Sequence, residues 1–184
     1  DDDIMRIVLG NVRVPDKVRG DLLAQHTANL TAATRLTQMF RDYGVGTVGS
    51  AYATILARSE ASMREVLAKV PPGTYSFEDF MDDYGPGTPP IKMAVDITFD
   101  GQGEVEFDFS RSSDAVPAAI NSYINYTRAY AVFAIKTFCN ALEPQTEGSM
   151  RPIKLKVREG SFFNPKFPAP SGGRPILQIR IFDT

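Results

Sequence analysis

From Asn11 to Gln25 the chain reads N-V-R-V-P-D-K-V-R-G-D-L-L-A-Q, which crowds Asn, Arg, Asp and Gln around the opening of a long helix. A surface helix prefers mixed Glu and Lys, and short amides and a carboxylate are mediocre helix formers. Asp21, Gln25 and Asn29 stand at i, i+4 and i+8, so they share one polar stripe. Asn11 and Arg13 lie just before it. A stripe of this kind suits the wall of a ligand site or a clamp on a neighbouring segment. The plainer reading is a solvated face with N-terminal capping.

A second set is Ser110-Arg-Ser-Ser-Asp114, between a predicted strand and a predicted helix. Such a turn can offer backbone N–H groups and hydroxyls to an anion. Capping of the next helix by Ser or Asp is the simpler role, and the two are compatible. Glu78-Asp79 and Asp82-Asp83 place four carboxylates within six residues. They have the chemistry for a hard divalent cation but not the ligand spacing of a calcium loop, so a solvated strand end is preferred. Gly44-Val-Gly-Thr-Val-Gly49 matches G-x-G-x-x-G, yet it joins two helices, whereas the dinucleotide fingerprint needs a strand before it. His26 is the only histidine and lies mid-helix, on or beside the apolar stripe. It is expected to be partly buried rather than catalytic or metal-ligating. No metal site is expected from these residues.

The elements that must position these groups follow from periodicity. Pro15 suits the first turn of a helix. From there to Tyr43 apolar residues recur at helical spacing, and Gly44 stops the run. A second helix runs from about Val48 to Val70 and ends at Pro71-Pro72-Gly73. The period then changes to two. Tyr75 and Phe77 alternate first. Ile91, Met93, Val95, Ile97 and Phe99 lie on one strand face, Asp100-Gly-Gln-Gly103 makes a hairpin turn, and Val105, Phe107 and Phe109 continue the face. A long, largely buried helix is expected from Pro117 to Leu142, a strand from Ile153 to Val157, and a helix from Arg174 onwards. The fold class is α+β: an N-terminal antiparallel helical hairpin over residues 1–70, then a β-rich lobe over 71–184, a largely antiparallel sheet with one long packed helix at 117–142.

Composition bounds the rest. At 184 residues, 43% hydrophobic and 23% charged, the chain can bury a core without metal or disulfide staples. A net charge of −2 gives no footprint for nucleic acid or for an acidic membrane surface. Apolar runs fall far short of a membrane span. The single cysteine, Cys139, suits a reducing compartment, and a cytoplasmic location is expected. Sequons at Asn29 and Asn125 fall in predicted helices and carry no weight. The chain opens on Asp1 and closes on Arg180-Ile-Phe-Asp-Thr184, within an unfinished helical pattern, so an excised piece of a longer protein is expected.

Taken in order, several blocks resemble the hydantoinase B/oxoprolinase family. They are N-V-R-V-P…G-D-L-x-A-Q at Asn11–Gln25, G-T-Y-S-F-E-D-F-M-D-D at Gly73–Asp83, V-E-F-D-F-S at Val105–Ser110, E-G-S-M-R-P-I at Glu147–Ile153, R-E-G-S-F-F-N-P at Arg158–Pro165 and P-A-P-S-G-G-R at Pro168–Arg174. Each alone is weak; six in collinear register are specific. Arg111 stands where a glycine is usual, Thr146 where an asparagine is common, and Pro175-Ile-Leu-Gln178 where Ser, Thr or Ala are typical. The family includes N-methylhydantoinase, 5-oxoprolinase and the acetone and acetophenone carboxylases. The resemblance implies a central segment of a larger subunit that completes hydrolysis of a cyclic amide of hydantoin or 5-oxoproline type. ATP would bind a hydantoinase-A-type partner subunit or domain, and a divalent metal would sit elsewhere in the full subunit. A hetero-oligomer acting on a small molecule, with no nucleic acid or membrane, is expected.

Within that expectation Arg13 and Asp21 are the candidate catalytic residues. Arg13 would neutralise a developing oxyanion or phosphoryl oxygen. Asp21 would orient it by a charge-assisted hydrogen bond. Asn11 and Gln25 would line the substrate site, with Ser110 and Ser112 as anion contacts. The segment by itself would be inactive. Three competing readings stand beside this one: a segment of an ATP-dependent ketone carboxylase, a non-catalytic docking scaffold, and a stand-alone small-molecule-binding domain.

Overall fold

Pro15 opens the longest helix, where its missing N–H costs no hydrogen bond. In the computed structural model, which describes residues 2–139, 144–173, 175 and 180, that helix is the second along the chain. The order is α1 (Asp2–Gly10), α2 (Pro15–Tyr43), α3 (Val45–Leu67), β1 (Gly73–Met81), β2 (Ile91–Phe99), β3 (Val105–Asp108), α4 (Ile124–Cys139), α5 (Glu147–Met150) and β4 (Ile153–Lys156). The mixed α+β class read from periodicity is the class observed. Helices give way to strands at Pro71-Pro72-Gly73, while packing divides the chain inside α3, into compact units at 1–53 and 54–184.

In the first unit α1 packs on α2. Gly44 ends α2 with φ 80°, a conformation that disfavours side chains with a Cβ, and its N–H donates to Phe40 O at 2.9 Å. No residue of α2 is buried. Its apolar stripe is a row of half-buried Val18, Leu22 and Phe40 with exposed Leu30 and Leu36. His26 is exposed, not partly buried as expected.

The second unit is built on a sheet in the order β1-β2-β3-β4. The first two pairings are antiparallel and the third is parallel. Asp100 closes the β2–β3 turn by accepting from the N–H groups of Gln102 (2.7 Å) and Glu104 (2.9 Å). Alternation puts Met93, Val95, Phe99, Val105, Phe107 and Ile153 on one buried face. Met63 and Leu67 of α3 and Ala131, Val132 and Ile135 of α4 complete this core. The opposite face carries ion pairs such as Asp108–Lys156 at 2.8 Å.

The helix expected from Pro117 begins at Ile124. Asn121 explains the delay: its side chain accepts from Val116 N and donates to the carbonyls of Val116 and Ala118, while Ser122 N donates to Phe162 O. Groups that a helix would pair internally are already taken. The end expected at Leu142 lies outside the described residues. So does most of the helix expected from Arg174, of which Pro175 and Arg180 are described and helical. Asp114 therefore caps no helix; it bridges to Ser161 and pairs with Arg158 at 2.6 Å.

Candidate functional site

The residues at the start of α2 sit in the first unit, on open surface. Asn11 serves the end of α1, its Nδ2 donating to Ile7 O at 2.8 Å and its N–H to Val8 O at 3.1 Å. Arg13 lies in the bend between α1 and α2, and Asp21 and Gln25 stand one turn apart on α2, all exposed. Among the described residues none of these three side chains has a hydrogen-bond or ion-pair partner. The stripe is thus presented to solvent and clamps no described segment.

Ser110 and Ser112 belong to the second unit. Asp108 Oδ1 accepts from Ser110 N at 2.8 Å and sets the turn after β3. Ser112 is buried, and its hydroxyl donates to Ala94 O (2.9 Å) and accepts from Ala94 N (3.0 Å). Ser113 Oγ accepts from Lys92 N at 2.9 Å. These two serines continue the β2 ladder where a strand would otherwise lie, so the Ser112 hydroxyl is held by backbone.

Arg111, between Ser110 and Ser112, reaches across the polar face of the sheet. Its Nε and Nη2 donate to the two oxygens of Asp96 at 2.8 and 2.7 Å, and Nη1 lies 3.4 Å from Glu78 Oε2. Ser76 Oγ donates to Asp96 Oδ1 at 2.6 Å, and Lys92 Nζ lies 2.7 Å from Glu78. The Arg111 fork, helped by Ser76, holds the Asp96 carboxyl down to about 2. Lys92, and then Arg111, keeps Glu78 below its ordinary value. Sequence reasoning passed over this cluster, because its members lie on three separate stretches of chain.

The acidic run does not gather. Alternation in β1 sends Glu78 and Asp79 to opposite faces; Asp79 pairs with Arg180 at 3.2 Å, and Asp83 Oδ1 accepts from Gly85 N at 2.9 Å. Among the described residues no group of three or more His, Cys, Asp or Glu is placed to hold a metal ion. Gly44 to Gly49 cap α2 and run on as α3, which leaves no phosphate-cradling loop there. No helix among the described residues is long and apolar enough to cross a membrane.

Two further features emerge from the second unit. Asn121, fully buried, also donates to Pro170 O at 2.9 Å. Tyr123 OH accepts from Ala169 N at 2.8 Å, and Thr127 Oγ1 donates to Phe163 O at 2.8 Å. Together they tie the approach to α4 onto the 163–170 loop, which contains a cis Phe167–Pro168 bond. The one sequence signal was an Asn set in an apolar run. The second feature is a cavity of about 570 Å³ between the sheet and α4, walled by Tyr75, Val95, Ile97, Phe107, Ile135 and Phe138. Its side chains can enclose an apolar group but offer no acid–base pair.

The sequence model of the hydantoinase B/oxoprolinase family matches residues 1–184. The B subunit of a putative D-/L-hydantoinase from Pseudomonas sp. (strain NS671) is 31% identical over 179 residues, covering 91% of this chain and 30% of that protein. The ATP-dependent caprolactamase of Pseudomonas jessenii has a similar structure, with a TM-score of 0.82, 26% identity, and coverage of 94% of this chain and 30% of its own. A nucleotide-free acetone carboxylase shares the fold at TM-score 0.62 and 16% identity, over 76% of this chain and 20% of its own. The chain thus spans less than a third of the length of these relatives. A match over every residue, with the six sequence blocks in order, makes this chain a member of the hydantoinase B/oxoprolinase family.

Proposed function

We propose that this chain is a segment of a hydantoinase-B-type subunit in an ATP-dependent enzyme that hydrolyses a cyclic amide of hydantoin or 5-oxoproline type. The observation that carries the proposal is the likeness to ATP-dependent caprolactamase over 94% of the chain. Hydantoins and caprolactam are cyclic amides, and opening such a ring with water builds negative charge on the carbonyl oxygen. Arg13, exposed and unpaired among the described residues, has the charge to meet that oxygen. In the first unit, Asp21, Asn11 and Gln25 line the substrate site beside Arg13; in the second unit, and independently, Ser110 contacts an anionic group. Ser112 supports that turn through Ala94. ATP belongs to a hydantoinase-A-type partner subunit or domain and the divalent metal to another part of the full subunit. The assembly is a cytoplasmic hetero-oligomer.

The test is ATP turnover by the intact subunit with its ATP-binding partner. Stimulation by hydantoin or 5-oxoproline is expected. Stimulation only by acetone or acetophenone with bicarbonate would make this a carboxylase segment instead. Arg13→Ala should lower turnover by about 10²-fold or more, and unchanged kinetics would remove Arg13 from the site. A docking role for the first unit is the second reading, favoured by the absence of any buried residue on α2. It gains if neither substrate class stimulates turnover.

A further inference from the structure

The cavity between the sheet and α4 has the volume of a small-molecule site. Its chemistry is wrong for the substrate class proposed above. A cyclic amide brings a carbonyl and an N–H, and both need partners when buried. The wall is aliphatic and aromatic; its polar side chains are Tyr75, whose hydroxyl donates to Pro71 O at 3.2 Å, and Thr137 on α4. An amide enclosed here would have only these two hydroxyls to bond, whereas hydrocarbon would fit.

The opening is itself apolar. Phe138 on α4 is 74% exposed, and Tyr75 is 48% exposed. Phe77, also 48% exposed, shares the sheet face of its register partner Val95. β1 is a terminal strand of the sheet, nine residues long, with a backbone edge that no described strand pairs. Open aromatic surface beside an unpaired strand edge is a docking site, or an aggregation hazard if left bare. The carboxylates of β1 already have cations: Glu78 has Lys92 and Arg111, and Asp79 has Arg180. An occupant therefore needs no basic residues.

Chain length indicates where the occupant comes from. This chain matches 30% of the caprolactamase chain, so more than two-thirds of that polypeptide lies outside the matched span. We propose that the cavity, with the edge of β1, seats an apolar segment of the same subunit's remaining polypeptide, packed intramolecularly, and that it is not the substrate site. The proposal rests on reading the chain as part of a larger hydantoinase-B-type subunit.

The experiment is thiol labelling of the intact subunit carrying Phe138→Cys in a Cys139→Ser background, with maleimide uptake at position 138 read by peptide mass spectrometry. The subunit is labelled alone, at two concentrations tenfold apart, and then with its ATP-binding partner or with 5-oxoproline. The expected result is uptake at least tenfold slower than for an unstructured peptide, in the subunit alone and independent of concentration. Free-thiol uptake in the subunit alone overturns the proposal. Slowing that requires the partner subunit, a higher protein concentration or 5-oxoproline assigns the cavity to that occupant instead and equally overturns it. Should the double variant not fold, hydrogen exchange of residues 73–81 in the unaltered subunit, under the same four conditions, gives the same answer. Neither readout needs turnover, so a failure of the amide-hydrolase reading in the ATP assay is distinguishable from a failure here.

Discussion

Gly148 gives the sharpest test of the packing. It sits inside the single turn of α5, where nothing local demands glycine. A Cβ built on it would lie 2.0 Å from Leu56 O and 2.7 Å from Leu56 C, on the backbone of α3. Real Cβ contacts stay beyond 3.0 Å, so in Gly148→Ala the two backbones must part by about 1 Å. Neither is free to move. Thr146 and Ser149 hold α5 in a reciprocal capping box, with Ser149 fully buried, and Arg151 Nη1 reaches Glu60 at 3.1 Å. α3 is anchored by Met63 and Leu67, each 1% exposed. Overpacking of this kind costs up to about 3 kcal/mol. The stiffer unfolded chain of an alanine variant returns up to ~1 kcal/mol. The net loss of about 2 kcal/mol corresponds to a Tm lower by roughly 4–8 °C for a protein of this size. Circular dichroism melts would read it, with Gly172→Ala as the control, because a Cβ there meets nothing within 4 Å. If Gly148→Ala melts together with Gly172→Ala, the close approach of α5 to α3 is wrong.

Three further outcomes follow from the second unit. In Arg111→Ala, the Asp96 carboxyl should titrate clearly above about 2, toward its ordinary 3.8 but still held below it by Ser76, as read by carboxyl-carbon NMR. Because the folded value is the depressed one, the parent loses this contribution as pH falls from about 4 to about 2, and the variant, left with the Ser76 bond alone, has less to lose there. An unmoved Asp96 titration would show that the fork does not form in solution. Asn121→Ala strands the backbone groups of Val116, Ala118 and Pro170, and should cost about 2–3 kcal/mol and speed proteolysis within 163–173; parental cleavage rates would refute the clamp. Ser112→Ala removes both bonds to Ala94 and should cost about 1–3 kcal/mol, with faster exchange of the Ala94 amide as its local signature. An unchanged Ala94 amide would mean the hydroxyl does not continue the ladder.

Features that depend on near neighbours are legible in the residues alone. Pro15 and Gly44 bound α2 because φ restriction and a left-handed cap act within one turn. The change to period two and the Asp100–Gly103 turn were readable because alternation and turn chemistry are local, and β2 and β3 pair as that pattern requires. Tertiary structure decided which distant segments meet. α4 begins at Ile124 because the Asn121 amide reaches Pro170, 49 residues away. β4 joins β3 in parallel, a direction that alternation alone does not specify. Ser112 looked like a cap or an anion donor until the fold set it beside Ala94, and Arg111 found Asp96 and Glu78 across two strands. His26 lies on open surface because no described element covers that face of α2. The apolar cavity was invisible in the sequence for the same reason: each wall residue reads as ordinary core, and only packing shows the space left between them.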